Sequence, residues 1–372
     1  MHASTDATHA ERKYRPPDFA ALGLHSAPDA RFEAVEARGV LPDGFFSTTN
    51  LPTYVRVAGV WRRPRRPRMD CAIVLDAAGE LTVLEPRRLE AGMRVAMGEM
   101  EDGSRGVYVH ADAFLGPQTD ASFRFMSTQV SRERPVDYQR LASELRDERE
   151  RGGHIVWVVG PALVHARARD DLVWMIERGY VGAMLAGNAL AVHDLEAALY
   201  GTALGVTPTG GQAEHGHGHH VRAINVIQRA GSIAAAVRDG VIREGIMYAL
   251  VTRGVPFVLA GSVRDDGPVP DVITDAVAAQ DAMREQTVRA TYAVMIATAL
   301  HAIAVGNMLP AFVETHTDDL RPLATICVDQ TEFVVNKLRD RGTHQAHGVV
   351  TNAQDFMHVL RFYLERLDHP AT

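Results

Sequence analysis

Lysine is almost missing from this chain. It occurs only at Lys13 and Lys337, so nearly all of the basic charge is arginine. Schiff-base chemistry, including that of pyridoxal phosphate, needs a desolvated lysine amine. Lys13 lies in a polar stretch, and Lys337 lies in "EFVVNKLRDRG", which reads as a helix with the lysine at its surface. Covalent catalysis through lysine is therefore not expected. Cysteine is equally scarce: Cys71 and Cys327 sit in the apolar runs "MDCAIVL" and "ATICVD". They read as reduced, buried core residues of a cytoplasmic protein. Long apolar runs are absent, and none approaches the roughly 20 residues of a membrane span. The N-terminus, "MHASTDATHAERKYRPPDF", has no apolar signal-peptide core. An excess of positive charge is also lacking. The formal charge of −7 excludes a general nucleic-acid binder, whose affinity rests on phosphate neutralisation. Finally, no G-x-G-x-x-G follows a first strand, so the ordinary dinucleotide fingerprint is missing.

What is present is enough for a substantial core: 372 residues, 46% apolar and 23% charged. Residues 1–40 read as a polar N-terminal arm and 41–130 as a smaller β-rich domain, with "TYVRVAGVWRR", "DCAIVLDAAGELTVLEP" and "RGVYVHAD" as short strands. Ala78-Gly79 reads as a hairpin turn. Residues 131–153 read as a linking helix stopped by Gly152-Gly153. From 154 to 368, apolar runs alternate with amphipathic segments. That pattern predicts an α/β fold with a mostly parallel sheet and helices on both faces. The stretch from "AAQDAMREQ" to "GNMLPA" reads as one long helix. Its apolar part, "YAVMIATALHAIAVG", is a candidate subunit interface, and a homo-oligomer is expected.

Several candidate sites share one address, the carboxyl end of a strand, where open α/β sheets bind ligands. They are "VVGPALVH" (Gly160–His165), "LAGNALAVHD" (Gly187–Asp194), "LAGSVRDDGPVPDV" (Gly261–Val272) and "CVDQTE" with Asp329; "AVGNMLP" (Gly306–Pro310) follows a helix. Asp329 suits a ribose hydroxyl or, equally, the N-cap of a helix. Phosphate binding would fall to amides such as those of Gly306, Asn307, Met308 and Leu309.

Three further clusters carry polar chemistry. "GGQAEHGHGHH" gathers His215, His217, His219 and His220, but on a glycine-rich loop with close spacing, so no metal is expected there. It reads as an ordinary polar loop or a mobile loop whose His219 or His220 carries a proton near neutral pH. "GSVRDDGPVPDV" offers Arg264 as a bidentate carboxylate clamp, or forms an internal salt-bridged loop. In the first region, Thr49 and Asn50 follow Phe45-Phe46 and either make a turn or orient a substrate; Asp70 begins a strand. The basic run "RRPRRPR" (Arg62–Arg68) reads as a solvated edge in preference to an anion site.

"GFFSTTNLPTYVR", "PRMDCAIV", "GPALVH", "LAGNALAVHDLEAALYGTALGV", "GHHVRAIN", "VPFVLAGSVRDDGPVPDVITD", "HAIAVGNMLP" and "CVDQTE" are long and unusual. In this order, over about residues 40 to 365, they closely resemble the archaeal-type ornithine cyclodeaminase family. The same unit forms the C-terminal part of cyanobacterial arginine dihydrolase/ornithine cyclodeaminase fusions and is related to the LOR/SDH conserved region. The resemblance implies a deoxyhypusine-synthase-like NAD-binding domain, bound NAD, and conversion of the small amino acid L-ornithine to L-proline and ammonia. It implies that Asn188, Ala189, Asp266, Gly306, Asn307, Met308, Leu309 and Asp329 line the NAD site. A mechanism consistent with the residues has Arg264 as carboxylate clamp, Asp70 on the δ-amine side, His219 or His220 as acid/base, and Thr49 and Asn50 orienting substrate. The alternatives are a net NAD-dependent amino-acid oxidoreductase and a non-catalytic NAD-binding sensor. The chain departs from the family in lacking the dihydrolase domain, in a shorter and more polar N-terminal arm, and in its histidine-rich loop.

Overall fold

Short alternating runs near the N-terminus fold as antiparallel strands. The computed structural model describes residues 14–114, 136–165, 167–207, 209–314, 320–331 and 346–369. The chain divides into two compact units, residues 1–135 with 309–323, and residues 136–308 with 324–372. In the first unit the strands are β1 (Phe32–Ala34), β2 (Thr53–Val57), β3 (Val60–Arg62), β4 (Ala72–Leu75), β5 (Leu81–Leu84), β6 (Arg94–Ala96) and β7 (Val107–Val109). They form two sheets, in the orders β1-β6-β4-β5 and β3-β2-β7. The β4–β5 turn at Ala78-Gly79 is fixed by the Asp76 carboxylate, which accepts from the Ala78 and Glu80 amides at 2.8 and 2.9 Å. The β2–β3 turn holds Ala58 and Gly59 at φ of 50° and 80°, the left-handed pair a two-residue hairpin demands. Phe46, Val55, Ile73, Val83 and Val107 close the core.

The second unit is a helix-covered parallel sheet. Its elements begin with α1 (Tyr138–Glu150), β8 (Ile155–Val159), α2 (Ala162–His165), α3 (Arg169–Glu177), β9 (Ala183–Gly187) and α4 (Asn188–Tyr200). There follow α5 (His219–Ala230), α6 (Ile233–Arg238), α7 (Ile246–Arg253), β10 (Phe257–Ala260), β11 (Val272–Ile273), α8 (Ala276–Thr287) and β12 (Tyr292–Ile296). After α9 (Ala299–Met308), the chain adds β15 (Ala324–Asp329), β16 (Ala346–Val350) and α10 (Ala353–Asp368). Between them the hairpin β13 (Phe312–Glu314) and β14 (Leu320–Pro322) belongs to the first unit.

The seven strands run parallel in the order β11-β10-β9-β8-β12-β15-β16. Without the short edge strand β11, this is the doubly wound order 3-2-1-4-5-6, whose direction of winding reverses between β8 and β12. "IVWVV" and "YAVMI" are buried at every position because both faces are covered. At the start of the unit, Asp137 caps α1, and Leu141 and Leu145 are buried in the common core with Phe356, Leu360 and Leu364 of α10.

One expectation is corrected here. The long helix predicted after residue 276 is α8, then β12, then α9. Alanine and methionine favour helices, and no glycine or proline interrupts residues 276–305, so the local pattern reads as helix despite the strand formers Tyr292, Val294 and Ile296. Pairing on both sides, with β8 and β15, overrides it. Tyr292–Ile296 is thus buried within the sheet and cannot serve as the subunit interface expected of it.

Candidate active site at the carboxyl rim of the parallel sheet

The reversal between β8 and β12 leaves their carboxyl ends facing a shared opening, the usual ligand position in such sheets. The backbone there is tight. The Gly160 amide donates to the Ile296 carbonyl at 2.9 Å, and a Cβ on Gly160 would lie 1.8 Å from the Ala297 oxygen. Ala297 itself holds a left-handed φ of 57°, a strained geometry for alanine that turns the chain from β12 into α9. Helices α4 and α9 begin beside this opening, directing the positive ends of their dipoles towards it.

Asn188 opens α4 immediately beyond β9 and is buried. Its Nδ2 donates to Asp265 Oδ1 at 3.3 Å, and its Oδ1 accepts from the Val269 amide at 3.3 Å. Asp265 Oδ2 in turn accepts from the Ser262 amide at 2.7 Å. Asn188 thereby ties the loop after β10 to the rim. Ala189, next in α4, is half-buried. Arg264 and Asp266 lie on that loop with exposed side chains, while Asp271 Oδ2 accepts from the Ile233 amide at 2.8 Å and anchors the start of α6.

His301, in the first turn of α9, is a rim residue that the sequence reading passed over. A Cβ on Gly187 would meet its Cε1 at 2.9 Å, so the glycine makes room for the ring. Its Nδ1 lies 3.3 Å from Thr298 Oγ1. Burial lowers the pKa of His301 below the usual histidine value, against the opposing pull of Asp265, which keeps the ring neutral at pH 7. The misread strand hid it: inside a continuous helix, His301 has no reason to stand at a strand end.

The remaining candidate cofactor residues divide. Gly306, Asn307 and Met308 form the last turn of α9, so their amides are spent within the helix and not displayed by an open turn; Leu309 follows directly. The Met308 carbonyl accepts from Arg284 Nη1 at 2.6 Å. Asn307 differs. Its Oδ1 is buried with no hydrogen-bond partner among the described residues. Asp329 ends β15, half-buried, and its Oδ1 accepts from the Thr331 amide and hydroxyl at 3.0 and 3.1 Å. The helix predicted after it lies outside the described residues. Cys327, buried in β15, has its thiol pushed up to about 12 by burial and by the Asp329 charge, so it is inert.

The histidine-rich segment is split by the fold. Glu214, His215 and His217 are exposed. His219 begins α5, where its Nδ1 lies 2.9 Å from Thr202 Oγ1 and its ring stacks on Tyr200 at 4.6 Å. His220 turns to Glu196 of α4, with Nδ1 3.7 Å from Oε2. Glu196 is fully buried. Burial alone would raise its pKa, but the imidazoles of His193 and His220, the Gly205 amide and the Thr202 hydroxyl hold it below the usual carboxylate range. Asp194, two residues before Glu196, is structural. It accepts from Arg169 Nε at 2.6 Å and from the Ile246 and Met247 amides at 2.9 and 2.8 Å, capping α7.

In the first unit, Thr48 donates to the Arg68 carbonyl at 2.7 Å and accepts from the Cys71 amide at 3.0 Å. Thr49 accepts from the Leu51 amide at 3.2 Å. Asn50 is buried with its Nδ2 unpartnered among the described residues, and Asp70 is exposed at a φ of 58°. The basic run is a salt-bridged edge: Arg63 pairs with Glu314 at 3.4 Å, Arg65 with Glu80, and buried Arg68 with Glu85 at 2.8 Å.

Two family models span this chain: residues 52–139 match the first region, and residues 139–360 the Rossmann fold, of the arginine dihydrolase ArgZ-like C-terminal part. The chain belongs to that family. It is 45% identical over 353 residues to the ornithine cyclodeaminase of Methanopyrus kandleri, covering 94% of this chain and 81% of that one. It is 40% identical to the bifunctional arginine dihydrolase/ornithine cyclodeaminase AgrE of Nostoc sp., covering 92% of this chain but 48% of AgrE. Among solved structures, a LOR/SDH protein from Methanococcus maripaludis superposes with a TM-score of 0.82 at 41% identity, covering 92% of this chain and 99% of that one. The ternary complex of AgrE with ornithine and NAD+ superposes with a TM-score of 0.58 at 36% identity, over 93% and 47% of the two chains.

Proposed function

We infer that this chain is an NAD-dependent ornithine cyclodeaminase, a lyase that converts L-ornithine to L-proline and ammonia. The observation that carries the reading is the 45% identity to an ornithine cyclodeaminase over 94% of the chain. The rim fits the cofactor. Asn307 offers a buried, unpartnered acceptor, suited to a carboxamide or sugar hydroxyl that the chain does not supply. Asp329 ends a strand, a position suited to a ribose hydroxyl, and the starts of α4 and α9 suit a pyrophosphate. Bound NAD would take a hydride from the substrate α-carbon and later return it, so none is consumed.

The chain's own residues do the rest. Asn188 and Asp265 hold the loop that carries Arg264, whose exposed guanidinium is free to clamp the substrate carboxylate. His301, half-buried at the rim with its pKa lowered by burial, suits the proton-transfer role. His219 and His220 are already engaged with Thr202 and beside Glu196, which favours His301 over them. Thr49, Asn50 and Asp70, in the first unit, are proposed as substrate-orienting residues on their sequence pattern alone. Proline formation, a cytoplasmic location and a homo-oligomeric state belong to the same proposal.

The test is a panel of amino acids incubated with purified protein and NAD, reading ammonia, proline and absorbance at 340 nm together. Ornithine is expected to yield ammonia and proline in equal amounts with flat absorbance. NADH accumulating with another amino acid would make this a net oxidoreductase. Cofactor binding with no product from any of them would make it a sensor.

A further inference from the structure

His193, Glu196 and His220 meet in one place, and none of the roles above uses them together. His193 and Glu196 are three residues apart on α4, so both project from the same face of the helix. His220 comes from the first turn of α5. The Nδ1 atoms of the two histidines face the same carboxylate oxygen, Glu196 Oε2, at 3.9 and 3.7 Å. Those separations are too long for hydrogen bonds. Both Nδ1 atoms are buried and have no hydrogen-bond partner among the described residues, and His193 is only 6% exposed. Two buried nitrogens and a buried carboxylate oxygen thus point at a common centre, with all three donor atoms within 4.8 Å of one another.

Glu196 is oriented for this. Oε1 accepts from Thr202 Oγ1 and the Gly205 amide, each at 2.8 Å, and Oε2 accepts from the Leu204 amide at 3.1 Å. These bonds fix the carboxylate plane and leave Oε2 turned to the imidazoles, as outer-shell partners orient a metal ligand. Ligands at about 2.0–2.1 Å in a tetrahedron stand about 3.3 Å apart. Closing the two nitrogen–oxygen distances of 3.9 and 3.7 Å needs shifts of about half an ångström, and bringing the two nitrogens from within 4.8 Å needs at most about 1.5 Å, a change that histidine rotamers supply. Two imidazoles and one carboxylate on two helices are a borderline N/O donor set with a fourth position left open.

We propose that His193, Glu196 and His220 bind a divalent transition-metal cation, Zn²⁺ being the ion that the donor set suits best. The site is distinct from the exposed His215 and His217, which the sequence made conspicuous. It joins α4 to the start of α5 and, through Glu196, to the turn at 202–205.

The test uses the full chain, purified without chelator or affinity histidines. Elemental analysis is expected to find one zinc per chain, or one equivalent to be taken up when ZnCl₂ is added to chelator-stripped protein. Chelation is expected to lower the melting midpoint by several degrees, and ZnCl₂ to restore it. Co²⁺ in place of zinc is expected to give the intense visible bands of a tetrahedral site. His220→Ala, at a half-exposed ring, keeps the fold and is expected to weaken Zn²⁺ at least tenfold; His193→Ala is the second variant. A His215→Ala/His217→Ala double variant is expected to bind zinc as the parent does. Stripped protein that takes up no zinc at micromolar concentration, or zinc affinity that survives His220→Ala and His193→Ala but falls in the double variant, would overturn the proposal.

Discussion

In the first unit, conspicuous polar side chains are largely closed back onto their own surroundings. In the second, several stand at strand ends. Thr48 is spent between Arg68 and Cys71, Arg68 is paired with Glu85, and the arginines from 63 to 68 form a salt-bridged edge. Small antiparallel sheets joined by tight turns need such side chains to finish their loops. A parallel sheet leaves the carboxyl ends of its strands open. Gly160, Gly187, Ala297 and Asp329 all lie there, with α4 and α9 starting beside them. Similar residue types therefore do different things in the two units: they finish turns in one and stand at open strand ends in the other.

The largest effect that would sharpen this contrast is structural and lies in the second unit. Asp194→Ala leaves Arg169 without its buried partner and removes the cap from α7. It is expected to cost about 3 kcal/mol or more, read as a fall in the urea midpoint. Activity would be lost through unfolding, so low temperature or added NAD should recover part of it. Next comes Asn188→Ala, which frees the loop after β10. Stability should fall by only about 1 kcal/mol. In contrast, kcat/KM for ornithine should fall about 100-fold, because the substrate clamp is no longer positioned. An Asn188→Ala protein with full activity would break the claim that rim residues serve a ligand.

A third prediction follows from two histidines of the second unit. Burial lowers the folded-state pKa of both His154 and His301 from 6.5. The unfolded chain then binds protons that the folded chain refuses. Their contribution is complete above pH 6.5 and declines as pH falls through the lower folded values. The urea midpoint should drop as pH falls below 6.5, and His154→Gln should flatten that slope. The smallest effect lies in the first unit and has the opposite sign. Ala58→Gly relieves a left-handed alanine in the β2–β3 turn and should stabilise by about 1 kcal/mol with no change in turnover.

Much of the architecture was legible from residues. Alternating β-branched runs announced the hairpins, and glycine or a polar residue after a fully apolar run announced the rim. What stayed hidden had a common cause. "YAVMI" carries the strand formers Tyr292, Val294 and Ile296, but the alanine-rich sequence on either side masks it, and pairing with β8 and β15 completes the strand. That single misreading concealed His301. The hairpin at 312–322 folds with the first unit through contacts far apart in sequence, and no local pattern marks it. The histidine cluster was half visible. His220 stood out in a glycine-rich loop, while His193 and Glu196 were ordinary polar positions inside "ALAVHDLEAALY". Their i,i+3 spacing was the available signal, and only the packing of α5 gives it meaning.

The central claim is that this rim borrows a hydride from ornithine and gives it back. The most direct measurement follows L-ornithine deuterated at the α-carbon through turnover with purified protein and catalytic NAD, with the proline read by mass spectrometry. Proline is expected to keep the deuterium at its α-carbon, with no build-up of reduced cofactor. Deuterium found in accumulated NADH, or ornithine recovered untouched from protein loaded with NAD, would contradict it.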